Sequence, residues 1–223
     1  MNKVAIIVAG GIGSRMAADL PKQFLPIANE PLLFHTLRKF ENLVDHLILV
    51  MHPEWISYWN DLIAKHSFNV KHTIVAGGQT RAQSVLNGLE HVENDCLVAI
   101  HDAARPTVTK ELIDSTFKNA EKHGACIPVI DLKDSIREIS EDGNSKAVNR
   151  SQFKSVQTPQ TFQSDILLDA FKQAYTPLFT DEANAVEANG GKVYLVDGEF
   201  ENIKITRPLD LAIAEHILAK RFH

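Results

Sequence analysis

The sequence predicts an α/β sandwich built on a mostly parallel central sheet. Short apolar runs of strand length alternate with stretches of helical spacing through the first 130 residues. Strands that read as unbroken apolar runs are the kind buried on both faces of a parallel sheet. Glycine-rich or polar segments follow these strands, at the edge where open α/β sheets bind ligands. With 223 residues, the chain buries roughly 70% of its extended surface, enough for one domain with a small appendage.

The elements follow in order. Residues 4–8 form a buried strand. Residues 32–40 are helical, with Leu33, Leu37 and Phe40 in register. A second strand spans 47–51, and a helix over 55–65 is opened by Pro53-Glu54. A third strand spans 73–76. The helix over 80–89 gathers Ala82, Val85, Leu86 and Leu89 on one face, with Arg81, Ser84 and Gly88 on the opposite one. Strand 97–101, helix 110–123 and strand 125–130 complete the alternation. The rhythm then breaks. Alternation over 134–139, a turn at Glu141-Asp142-Gly143-Asn144 and a return over 146–148 read as a polar hairpin between Asp131 and Thr158. It has too little apolar content to fold alone; an arm docked on another subunit would explain it, and a solvated surface hairpin on a monomer is the alternative. Helices over 164–175 and 181–189 and a strand over 192–196 follow. The last helix starts at Pro208, with Asp210 near the positive end of its dipole.

Composition excludes several classes. The formal net charge of −5 argues against a nucleic-acid partner, which selects a basic surplus. The longest apolar runs fall far short of the ~20 residues of a membrane span, and the N-terminus lacks a signal-peptide pattern. Cys96 and Cys126 sit in apolar surroundings and read as reduced, buried thiols. No Cys/His spacing suggests zinc. A reducing, cytoplasmic compartment is expected.

Five segments can carry chemistry. The run Ala9-Gly10-Gly11-Ile12-Gly13-Ser14-Arg15-Met16 directly follows the first strand. Glycines let backbone approach a ligand, and successive amides cradle phosphate. Met16 stands where a dinucleotide fingerprint needs its third glycine, and no acid ends the second strand. The loop also lacks the Gly-Lys-Ser/Thr ending of a Walker A motif. Lys22 follows closely. Gly77-Gly78-Gln79-Thr80-Arg81 leads into a helix, and His101-Asp102-Ala103-Ala104-Arg105 ends a strand. An aspartate there suits a phosphate-bound Mg²⁺, and an arginine suits phosphate. Asn202-Ile203-Lys204-Ile205 reads as a strand that points Lys204 opposite to its apolar neighbours.

These motifs in this order resemble the 2-C-methyl-D-erythritol 4-phosphate cytidylyltransferase family from Val4 to about Lys220, with Thr158-Pro159-Gln160 and Thr180-Asp181-Glu182-Ala183 matching as well. The resemblance implies a Rossmann-like nucleotidyltransferase fold whose β-arm interlocks a homodimer, and CTP and a polyol phosphate as substrates with Mg²⁺ as cofactor. It implies that Arg15 and Lys22 stabilise the transition state at the CTP α-phosphate, and that Arg150 and Lys204 position the acceptor. Ser135, Thr158 and Thr180 would stand beside the acceptor. Ala9, Gly10, Gly11, Gly13, Gly78, Gln79 and Ser84 would form the nucleotide side, with Arg81 flanking it. Asp102 would hold the metal, and Asp102, Ala103 and Arg105 would line the ribose and phosphate region. The chain departs from the family at Gly10, often alanine, at Gln79, often an acid, and at Ser135, often threonine.

A phosphate monoester with a second pKa near ~6 is already an anionic nucleophile. The reaction so implied needs no general base, which suits ten histidines without an acid–base constellation. The alternatives are a ribitol- or glycerol-phosphate cytidylyltransferase, which would differ in the polyol pocket, and a dinucleotide-binding oxidoreductase, which the incomplete fingerprint disfavours.

Overall fold

The structure is a computed structural model and describes residues 1–10, 20–174 and 179–221. Five parallel strands match the expected alternation: β1 (Asn2–Ala9), β4 (His46–Met51), β5 (Thr73–Ala76), β6 (Cys96–Asp102) and β7 (Ala125–Asp131). The order β5-β4-β1-β6 is parallel throughout. β1 lies at its centre and shows how the sequence makes two cores. Its residues alternate between faces, so Ala5, Ile7 and Ala9 enter one cluster while Val4 and Ile6 enter the other.

The first cluster is covered by α1 (Leu32–Phe40), α2 (Ile56–His66) and α4 (Lys110–His123), with Phe34, Trp59 and Phe117 fully buried. The second is covered by α3 (Arg81–Leu89), α5 (Ser164–Ala174) and α6 (Glu182–Ala188). A third small core seats α7 (Pro208–Arg221) against Ile27 and Leu32 of the chain around the short hairpin β2 (Pro26–Ile27) and β3 (Glu30–Pro31), and also against Ile205. Asp210 starts α7 as expected: its Oδ2 accepts the N–H groups of Thr206 at 2.7 Å and Arg207 at 2.8 Å.

The second half departs from the sequence reading in three places. First, the expected hairpin is shorter. Only β8 (Arg137–Ile139) and β9 (Ser145–Ala147) pair as a separate exposed ribbon. The returning limb rejoins the main sheet as β10 (Lys154–Val156) and β11 (Gln160–Gln163), both antiparallel to β7, with β11 also antiparallel to β6. Second, the strand expected over 192–196 forms as β12 (Tyr194–Asp197), parallel to β7. Third, residues 202–207 form no strand. Ile205 reaches the sheet edge only by donating its N–H to the Ala104 carbonyl at 2.9 Å. Cys96 and Cys126 are free and buried, as expected.

Gly88 was expected on the polar face of α3, but it is buried against the sheet. A Cβ there would lie 2.9 Å from Ile6 Cγ2 and 3.0 Å from Val50 Cγ2. Both are methyls of β-branched side chains with little rotameric freedom. The glycine thus lets α3 approach β1 and β4 closely. In Gly88→Ala, overpacking of roughly 1–3 kcal/mol outweighs the helix-propensity gain of about 1 kcal/mol. The expected outcome is a lower urea midpoint, a net loss of about 1 kcal/mol; an unchanged or raised midpoint would contradict this packing.

Candidate active site

The carboxyl edge of the parallel strands carries the site. β1 ends at Ala9-Gly10, and the turn holding Lys22, Gln23 and Phe24 packs beneath it. Gln23 is 3% exposed, and its Nε2 donates to the Ala9 carbonyl at 2.9 Å. The Lys22 ammonium donates to the Ile205 carbonyl at 2.8 Å. β5 ends in Gly77-Gly78, and Thr80 caps α3 by accepting the Gln83 N–H. Ser84, buried on the first turns of α3, accepts the Gly78 N–H at 3.1 Å and donates to the Thr80 carbonyl at 2.9 Å. A Cβ on Gly78 would lie 2.1 Å from Gln83 Cγ, so this backbone path requires glycine.

The electrostatic centre is Asp102, at the end of β6. Lys204 Nζ lies 2.8 Å from its Oδ2, Arg105 Nε 3.6 Å from the same oxygen, and Arg81 Nε 3.5 Å from Oδ1. Burial pushes the Asp102 carboxyl up, but Arg81, Lys204 and Arg105 outweigh it and hold it well below the usual carboxylate range. Arg81 is forked onto Glu182 through Nη1 at 2.5 Å and Nη2 at 3.1 Å. Burial alone would lower the Arg81 pKa, but Glu182 and Asp102 hold it above its ordinary value. Burial lifts the Glu182 carboxyl, and the Arg81 fork opposes that.

Two cavities meet at these charges. The larger, about 300 Å³, is lined by the expected Ala9, Gly10, Lys22, Gly78, Gln79, Arg81, Ser84, Asp102, Ala103 and Lys204. The smaller, about 120 Å³, is lined by Arg105, Thr158 and Thr180 and shares Arg81, Asp102 and Lys204 with the first. Ser135 and Arg150 stand exposed on the arm and line neither cavity; Arg150 Nη1 donates to the Lys133 carbonyl. Gly11, Gly13 and Arg15 lie outside the described residues. Residues that sequence reasoning missed include Gln23, Gln157, Gln160, Asp181 and Glu182. Of these, Gln160, Asp181 and Glu182 fall in segments noticed only as matching. Gln160 Oε1 accepts the N–H groups of Glu182 at 3.1 Å and Ala183 at 3.0 Å, which ties β11 to the start of α6.

His101, beside Asp102, is fully buried and held on both sides. The Thr158 hydroxyl lies 3.0 Å from Nδ1 and accepts the Asp102 N–H, while Nε2 faces the Arg105 carbonyl at 3.2 Å. A neutral ring that accepts at Nδ1 and donates at Nε2 satisfies every partner. It is therefore a structural strut out of reach of any ligand. For a divalent cation, no group of three His, Cys, Asp or Glu side chains occurs among the described residues. Mg²⁺ does not need one, since it takes one or two carboxylates and completes its shell with phosphate and water. Asp102 fits that role. Among the described residues its Oδ1 has one charged approach, the long one of Arg81 Nε, so it retains acceptor capacity, and Asp102 lines both cavities.

An edge that gathers cations around one carboxylate, with room for two ligands side by side, suits transfer between phosphates. Fold and site together define a nucleotidyltransferase. Comparison with known proteins narrows this. Residues 3–220 match the family described as 2-C-methyl-D-erythritol 4-phosphate cytidylyltransferase, and the chain belongs to that family. It is 47% identical over 220 residues to the protein of that name from Bacteroides fragilis, covering 98% of this chain and 100% of the relative. It is 48% identical to that of Porphyromonas gingivalis, covering 97% and 98%. The crystal structure of the Thermus thermophilus cytidylyltransferase superposes with a TM-score of 0.80 at 31% identity, covering 99% of this chain and 100% of that one.

Burial pushes the His101 imidazole down to about 4 from its ordinary 6.5, and lowers His35 and His72 in the same direction. Above pH 6.5 neither state takes up the His101 proton. Below it the unfolded chain does and the folded one does not, so stability falls as pH drops from 6.5 to 4, by roughly 3 kcal/mol for this residue over the full window. The urea midpoint is expected to fall from pH 7 to pH 5. His101→Gln, which can serve both hydrogen-bond partners, should show a shallower fall; an equal slope would contradict the buried neutral ring.

Proposed function

We propose that the larger cavity holds CTP, that the smaller one holds the acceptor phosphate, and that the cations they share bring the two together. The enzyme transfers a cytidylyl group from CTP to 2-C-methyl-D-erythritol 4-phosphate, giving 4-diphosphocytidyl-2-C-methyl-D-erythritol. A ribitol- or glycerol-phosphate acceptor is not favoured, since relatives at 45–48% identity carry the methylerythritol name. The observation that carries the placement is the junction of the two cavities at Arg81, Asp102 and Lys204.

In this reading a non-bridging oxygen of the acceptor phosphate attacks the α-phosphorus of CTP. A new P–O bond forms, the α–β bridge breaks, and pyrophosphate carries away the electron pair. No proton need be removed from the nucleophile, in keeping with His101 being sealed from both cavities. Lys22 and Arg15 stabilise charge on the reacting phosphoryl oxygens. Lys204 and Arg105 hold the acceptor phosphate, with Thr158 and Thr180 toward its polyol. Gly10, Gly78 and Ser84 take the base, with Gln79 beside the nucleotide and Ala103 toward the ribose; Gly11 and Gly13 belong to the nucleotide side by the family resemblance. Asp102 would hold Mg²⁺, which when bound would supply charge neutralisation at the phosphates.

The arm supports a homodimer. Arg150 and Ser135 are exposed on it and line neither of their own chain's two cavities, and Ile139, Phe153 and Phe200 stay 67%, 46% and 51% exposed. A second copy would cover such apolar surface and receive Arg150 at its acceptor cavity. Buried, free Cys96 and Cys126 favour a reducing, cytoplasmic setting, and no helix among the described residues is long and apolar enough to cross a membrane.

Lys22→Ala is expected to lower turnover at least ~100-fold, the scale of one preorganised stabilising donor, in a pyrophosphate-release assay. A variant within a few-fold of the parent would contradict the role. Arg150→Ala should raise the KM for the acceptor. If sites are shared between copies, Lys22→Ala and Arg150→Ala subunits mixed by co-refolding recover about a quarter of parental activity at acceptor concentrations well below the KM of the Arg150→Ala enzyme, because half the dimers are mixed and each has one intact site. No recovery would place Arg150 in its own chain's site, and an Arg150→Ala enzyme as active as the parent would place it outside any site.

A further inference from the structure

Glu182 has no place in the chemistry above, yet it is 1% exposed and sets its carboxyl group behind the wall of the site, against the Arg81 that lines both cavities. Its side-chain partner is the Arg81 fork, and its backbone is pinned by Gln160. Arg81 therefore stands between two carboxylates. Its terminal nitrogens go to Glu182, which leaves only Nε, at 3.5 Å, for Asp102. Arginine prefers a bidentate carboxylate pair. Among the described residues, Asp102 is the other carboxylate within ion-pair distance of Arg81 and so the one that can take the fork when the Glu182 charge is removed.

We propose that Glu182 is a positioning residue that keeps Asp102 available to a divalent cation by retaining Arg81 for itself. The inference rests on the proposed role of Asp102 toward Mg²⁺. Glu182→Gln preserves shape and one acceptor but removes the charge. Arg81 then closes on Asp102, and a cation must compete with that pair. The expected cost in cation affinity is on the order of tenfold, the factor set by one charge-assisted hydrogen bond. Replacing both partners, Arg81→Met with Glu182→Met, removes the competitor and restores affinity. A residue needed only for packing would not show that restoration.

The test is Mn²⁺ binding to the enzyme saturated with CTP and without acceptor, read as enhancement of water-proton relaxation, with circular dichroism confirming the fold. Support is weakened binding in Glu182→Gln and recovery in the double variant. Parental binding in Glu182→Gln, or binding that stays weak in the folded double variant, overturns the proposal. Should Glu182→Gln not fold, Gln160→Ala, which frees the start of α6 and loosens Glu182, is expected to weaken Mn²⁺ about threefold, a part of the same effect; no weakening there overturns it. An unmodified enzyme with no relaxation enhancement would instead refute the role of Asp102 toward the metal.

Discussion

The carboxylate of Asp102 is the point on which the molecule turns. It ends a strand whose seven residues are all buried, and a charge at that depth survives only if cations meet it. Among the described residues three do so, from separate parts of the chain: Arg81 opens α3, Arg105 follows in the next turn, and Lys204 precedes α7. Each brings its own element to the sheet edge. Lys22 joins indirectly, since its ammonium binds the carbonyl of Ile205, whose own N–H holds Ala104. One desolvated charge thus organises both the packing of the edge and the electrostatics of the site.

That arrangement suits a reaction whose difficulty is repulsion. Two polyanions must approach, and the protein answers with preorganised positive charge that partners hold in place before any ligand arrives. Held side chains lose little freedom when phosphate binds, because the fold has already fixed them. The buried histidine beside Asp102 belongs to this framework. It links Thr158, Asp102 and Arg105 without titrating near neutral pH, so the scaffold keeps one protonation state over the range in which phosphate monoesters are dianionic.

The parallel half of the fold was legible because its strands are uninterrupted apolar runs that only burial on both faces explains. The antiparallel returns were not. Lys154–Val156 is polar and exposed, and Gln160–Gln163 has a single apolar residue; their pairing is decided by β7, some thirty residues earlier in the chain. The segment before α7 looked like a strand because Lys204 alternates with isoleucines, yet Ile205 serves a small separate core. Within the site, glycines and cations at strand ends were readable, since their chemistry is local. Glu182 was not, because an acid in the first turn of a helix is what any helix favours. Only its contact with Arg81, 101 residues away in sequence, distinguishes it.

The missing side chain at Gly88 has a reach beyond its own contact. It lies seven residues after Arg81 on the same rigid rod, a span of about 10 Å. How deeply the far end of α3 settles onto Ile6 and Val50 therefore sets the height at which the guanidinium meets Glu182 and Asp102. A hydrogen in place of a methyl, at a position no substrate touches, acts as the foot of a lever whose other end calibrates the charge spacing of the site.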